Sequence, residues 1–190
     1  MRRPTRRLLG AAVLVAGAAL FGRGTYIYAK ARVAQVLLHR AWARTLAGEK
    51  DVKPWPWADT WPVARLTIPK TRADFIVLAG ASGRTLAFGP GHLDGTAPPG
   101  EGGNCVLSAH RDTQFAALRE IGRGDDVVME TADGRRGVYR VERTAVVDHH
   151  DMRALERTES SMLTLVTCYP FDAITAGGPL RYVVQARRTS

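Results

Sequence analysis

Several things that commonly define a protein class are scarce in this chain. It has only two cysteines, Cys105 and Cys168. That is too few for a disulfide-stapled scaffold, and leaves one bridge or two thiols as the alternatives. Aromatic residues make up 7% of the sequence. After Trp61 no basic stripe interleaves with them, which argues against a nucleic-acid partner. Acidic residues are sparse at the start: residues 1–60 hold 11 Lys/Arg against 3 Asp/Glu, whereas residues 61–190 hold 16 against 15. The formal net charge of +9 therefore belongs to an N-terminal arm and not to the remainder. No internal repeat or low-complexity segment is visible.

The longest uncharged apolar run is Leu8–Gly22, 15 residues preceded by Arg2, Arg3, Arg6 and Arg7. By itself it is short for a membrane span. Apolar character resumes after Arg23 through Tyr26, Ile27, Tyr28 and Ala29, a pattern suited to snorkelling and head-group contact. Although Ala16-Gly17-Ala18 has the small residues of a cleavage site, this continuation favours an uncleaved anchor. The expected organisation is a basic cytoplasmic tail (1–7), a membrane anchor (8–29), a helical stalk and Pro/Trp linker (30–60) and a catalytic domain (61–190). The expected location is the cytoplasmic membrane, single-pass, with the N-terminus inside and the domain outside.

Residues Ala29–Leu46 contain neither proline nor glycine and read as a helix stopped by Gly48. Val33, Val36, Leu37 and Leu46 form its expected packing side. Lys53–Pro62 cannot be helical, and its three tryptophans suit either a membrane interface or a cover for the domain. Beyond it the chain reads as short strands: Val63–Ile68, Phe75–Leu78, Asn104–Ala109, Asp126–Thr131, Gly137–Val147, Met162–Thr167 and Leu180–Ala186. Brief helices are expected at Arg84–Phe88, Gln114–Ile121 and His149–Arg157. About eight strands at this spacing predict a mainly β fold, a closed eight-stranded barrel with short helices, preceded by an N-terminal transmembrane helix.

Within that frame Met162–Phe171 stands out. Leu163–Thr167 is a β-branched, apolar run with the composition of a core strand, and Pro170 ends it. Cys168 thus emerges at the rim of a rigid strand, a good place for a nucleophile. A nucleophilic thiol needs a proton partner and a donor for the developing oxyanion. Of the five histidines, His39, His149 and His150 sit in polar, surface contexts and His92 suits a structural role. His110 ends the strand Asn104–Ala109, as Cys168 ends its own. Arg181 opens the last strand and offers a permanently charged fork of N–H groups.

Three segments together, Ser108-Ala-His110-Arg-Asp-Thr113, Leu165-Val-Thr-Cys168-Tyr-Pro170 and Leu180-Arg181-Tyr-Val-Val184, resemble the catalytic segments of the sortases, in the same order. The likeness runs from about Trp61 onward and is nearest to sortases of the class D or Gram-negative type. It implies an eight-stranded sortase barrel and a cysteine transpeptidase acting on an LPxTG-like sorting signal between Thr and Gly. Cys168 would form a thioacyl enzyme and His110 would serve the departing and incoming amines. Arg181 would hold substrate and oxyanion. The resemblance implies as partners a sorting-signal peptide of a surface protein, an amine acceptor and the cytoplasmic membrane, with no nucleic acid. Thr167 is a further candidate at the oxyanion and Tyr169 a supporting one. Asp112 would orient His110 or, preferably, cap the helix at Gln114. Asp151, Glu156 and Glu159 lack the spacing of an ion loop, so no metal or cofactor is expected. L,D-transpeptidases also use cysteine and histidine, but 57 residues lie between His110 and Cys168 here, which argues against that family. The remaining alternative is a non-catalytic anchored β-barrel binding module closed by a Cys105–Cys168 disulfide. Strand alternation instead turns Cys105 away from His110, as a buried free thiol.

Overall fold

The computed structural model describes residues 3–175 and 177–189; within the first helix the side chains of residues 3–13, 15, 16, 19, 27 and 28 lie outside what is described. Contacts divide the chain into residues 1–36 and residues 37–190. Helix α1 runs over Arg3–Leu46. Among the described residues no helix is long and apolar enough to cross a membrane. Much of the Leu8–Gly22 run, on which the anchor expectation rests, falls on side chains outside that set.

Gly48, at φ 96°, takes the left-handed conformation that ends α1. The face that packs differs from the expected one. Leu38, Ala41, Trp42 and Thr45 are buried, whereas Leu46 is exposed, as are Val33 and Val36 further up the helix. Spacing of three and four keeps the buried set on one stripe. Leu38 and Trp42 sit in one apolar cluster with Ile76 and Leu78, flanked by Trp55 and Phe88. The linker tryptophans divide their roles: Trp55 meets Phe88 edge-on at 4.7 Å, while Trp57 is exposed.

The remainder is a barrel of eight strands: β1 (Pro62–Ile68), β2 (Ala73–Ala79), β3 (Gly91–His92), β4 (Asn104–Ser108), β5 (Asp126–Thr131), β6 (Arg136–Asp148), β7 (Met162–Tyr169) and β8 (Leu180–Arg188). The sheet closes in the order β1-β2-β3-β4-β7-β8-β6-β5, which removes exposed strand edges. Strand β3 was not legible in the glycine–proline stretch. It is two residues long, and a side chain at Gly91 would collide with the Gly80 carbonyl, so close packing put glycine there at the expense of a strand signal.

Alternate residues fill the interior: Ala64, Leu66 and Ile68 from β1, Cys105 and Leu107 from β4, Leu163 and Leu165 from β7, Val184 and Ala186 from β8. Each large aliphatic side chain so buried contributes about 1.5–3 kcal/mol. Along β1 the buried and half-buried positions alternate without a break, the period-2 signature of a sheet with one wet face. The parallel pair β4–β7 and the antiparallel pair β7–β8 lie side by side. His110 follows the end of β4 by two residues, Cys168 lies one residue before the end of β7 and Arg181 is the second residue of β8.

Candidate active site

Register places the three residues. Cys168 and Arg181 are direct cross-strand partners, and such pairs hold their Cβ atoms about 4.5–5.5 Å apart on the same face. In the parallel pair, Ser108 lies opposite Val166, and the Ala109 amide donates to the Val166 carbonyl at 3.3 Å. The paired ladder ends there, and His110 follows two residues after Ser108. Leu163 and Leu165 point into the core, so Val166 and Cys168 face outward, as do Ser108 and His110. Cys168 is half-buried and His110 exposed.

A groove of about 170 Å³ runs along this outer face, lined among others by Val106, Ser108, Val166, Arg181 and Val183. Its far wall comes from the end of β6 and the β6–β7 loop, through Val147, His149, Met152 and Leu155. Asn104, a residue that sequence reasoning passed over, fastens that wall. It is buried; its Nδ2 donates to the carbonyls of Ala154 and Glu156, both at 3.0 Å. Its Oδ1 accepts from the Thr164 hydroxyl at 2.7 Å. All its hydrogen-bonding groups are engaged, the condition under which a buried amide stabilises.

Arg181 is half-buried. Its Nη1 donates to the carbonyls of Gly178 at 2.8 Å and Leu180 at 2.9 Å, so the β7–β8 loop aims the guanidinium. Thr167 is buried, and its hydroxyl donates to the Ala109 carbonyl at 2.7 Å. That hydroxyl is therefore engaged by the fold, not aimed at an oxyanion. Tyr169 lies on the inward side with Phe171 and Tyr182, at ring-centroid distances of 6.0 and 6.3 Å, and supports the strand end by packing. Asp112 is exposed and does not hold the N-cap. Thr113 occupies that position ahead of a 3-10 helix over Gln114–Glu120, without a side-chain capping bond; its hydroxyl donates to the Gln114 Oε1 instead.

Cys105 and Cys168 are both free thiols, which removes the disulfide-closed alternative. Cys105 pairs with Leu163, five residues from Cys168 along β7. At about 3.3 Å per residue that separation is far beyond the reach of a disulfide. Burial in the core pushes the Cys105 thiol up to about 12, leaving it protonated and inert. His92 is held by the Ala97 carbonyl at 2.9 Å and the Thr96 hydroxyl at 3.1 Å, a structural role. Asp151 pairs with Arg153 at 2.6 Å, which lowers its carboxyl to about 2. Among the described residues the group whose ligand atoms gather within 4.8 Å is Asp148, His149 and His150, all exposed.

The sortase-domain family model matches residues 66–189. The chain belongs to the sortase family. It is 33% identical over 126 residues to Sortase D of Bacillus subtilis (strain 168), covering 66% of this chain and 63% of that protein. Among solved structures, Sortase A from Corynebacterium diphtheriae superposes with a TM-score of 0.63 at 28% identity, covering 70% of this chain and 63% of the other. The catalytic domain of B. anthracis SrtD does so with 0.58 at 37% identity, covering 68% and 88%. The match thus spans less than two thirds of the length of the first two relatives. The matched range includes Cys168, His110 and Arg181.

Proposed function

We propose that this sortase is a cysteine transpeptidase that cleaves an LPxTG-like sorting signal between Thr and Gly and passes the acyl group to an amine. The observation that supports it is the register: Cys168 lies opposite Arg181 on β7–β8, and β4, which His110 follows by two residues, pairs with β7 as far as Ser108 and Val166. The Cys168 sulfur attacks the Thr carbonyl carbon, and the resulting oxyanion is met by the Arg181 guanidinium. On collapse the C–N bond breaks, His110 gives its proton to the departing Gly amine, and a thioester remains on Cys168. An incoming amine then loses a proton to His110, attacks the thioester and releases the Cys168 thiolate. No metal or cofactor takes part.

The groove favours an extended peptide with apolar side chains. Val106, Val166, Val183, Met152 and Leu155 offer it apolar walls, and Ser108, Asp148, His149, Asp151 and Arg181 polar groups. We place the chain in the cytoplasmic membrane through residues 8–29, N-terminus inside, on the strength of the Arg-flanked apolar run. Intact-mass analysis after incubation with LPxTG peptides tests the chemistry. The expected result is an acyl adduct on the wild type that is absent from Cys168→Ala; adducts on both, or on neither, reject it.

A further inference from the structure

Among the described residues Arg111 is the one charged side chain that is buried, at 6% exposure. A guanidinium withdrawn from water needs acceptors for its N–H groups. None of the ion pairs between described residues involves it. Instead Nη2 donates to the carbonyls of Ala173 at 2.9 Å and Thr175 at 2.5 Å, and Nη1 to that of Gly177 at 3.3 Å. All three belong to the β7–β8 loop. The next carbonyl, Gly178, accepts from Arg181 at 2.8 Å. Gly177 and Gly178 both have positive φ, 84° and 101°, a backbone with no strong preference of its own for this shape. Arg111 supplies that preference from the side of His110, its covalent neighbour.

We infer that Arg111 is a positioning residue that sets Arg181 relative to His110 by holding the β7–β8 loop. A planar fork can serve three diverging carbonyls, whereas an ammonium cannot reproduce that geometry. Arg111 is not among the residues that line the groove. The inference rests on the proposed roles of His110 and Arg181.

The test uses the full-length chain with Arg111→Lys, Arg111→Gln, Arg181→Ala and the double variant Arg111→Gln/Arg181→Ala, assayed on a fluorogenic LPxTG peptide well below the melting temperature. Arg111→Gln is expected to lower kcat by about 10-fold or more with little change in KM, because misplacement of a catalytic group by about 1 Å costs that much. In the Arg181→Ala background the same change should cost less than about 2-fold, since the two residues act as a unit. A purely structural role would lower the melting temperature but leave the losses additive. Arg111→Lys keeps the charge and should recover only part of the rate. Wild-type kcat in Arg111→Gln or in Arg181→Ala, or additive losses, overturns the inference. Amide exchange in Arg111→Lys provides a readout independent of substrate. Residues 171–178 should exchange about 10-fold faster while β7 and β8 are unchanged. Unchanged exchange in the loop also overturns it. A wild type inert to the peptide would reject the substrate reading and leave this second readout to decide.

Discussion

The Thr167 hydroxyl donates to the carbonyl of Ala109 at 2.7 Å, joining the residue before the thiol to the residue before the imidazole. Two strands 58 positions apart in sequence are thereby tied at the point where each delivers its reactive side chain. Strand pairing alone leaves this end of the β4–β7 ladder free to splay, since its last paired residues are Ser108 and Val166.

Replacing Thr167 by Val removes the donor while keeping the branched shape. A buried carbonyl left without a partner costs about 1–3 kcal/mol, readable in urea unfolding. Turnover of a sorting peptide is expected to fall by about 10-fold to 100-fold through the altered spacing of Cys168 and His110. Thr167→Ser, which restores the hydroxyl, should recover most of it. Wild-type kcat/KM in Thr167→Val would show that the bond does not position the site.

Asn104→Ala should loosen the groove wall. Three bonds vanish at once, leaving the Ala154 and Glu156 carbonyls and the Thr164 hydroxyl without this partner. Destabilisation of about 1–3 kcal/mol is expected. Trypsin should cut after Arg153 and Arg157 faster than in the wild type, while cleavage elsewhere keeps its rate. Unaltered cutting at those two sites would reject the anchoring role.

Cys105 makes the barrel sensitive to alkali. Its folded thiol stands at about 12, raised by burial, above the 8.5 typical of an exposed cysteine. Because the folded state holds the proton more tightly, the stability it contributes is complete below the unfolded value and declines as pH rises towards 12. The slope is at most about 1.4 kcal/mol per pH unit. Wild type and Cys105→Ala compared by urea unfolding at pH 8 and pH 10.5 should converge at the higher pH. In the native protein at pH 8, iodoacetamide should label Cys168 alone; labelling of both thiols would contradict the burial.

Trp42 anchors the end of α1. Truncation to Ala should cost about 3–5 kcal/mol as the aromatic volume is lost from the Leu38–Ile76–Leu78 cluster. Its indole Nε1 is buried without a hydrogen-bond partner. Trp42→Phe therefore removes an unsatisfied donor together with some volume and should cost less than about 1 kcal/mol. Equal losses for Phe and Ala, measured by thermal unfolding, would mean that the indole itself is required and would overturn the volume account.

The strands with clear alternation or β-branched runs, β1, β5, β6, β7 and β8, were legible because one wet and one dry face impose period 2. So was the placement of Cys168 at the end of one strand and of His110 just past the end of another. The packing stripe of α1 was not: apolar content favoured Val33 and Val36, but the position of β2 selected Leu38 and Trp42. Arg111 and Asn104 were passed over for a related reason. Each is an ordinary polar residue in sequence, and its role appears only when carbonyls from distant loops converge on it. The expected cap by Asp112 is absent because the residue directly before Gln114 is Thr113, which makes no side-chain capping bond.

The amino-acid sequence alone determined the type of barrel, the three residue types for thiol chemistry and their order along the chain, since local pattern and side-chain chemistry are written residue by residue. Only the tertiary structure decided which hydroxyl, amide and guanidinium hold those groups in place, because a hydrogen bond between residues 50 to 66 positions apart depends on strand register and loop path, and neither is encoded in any single stretch of chain.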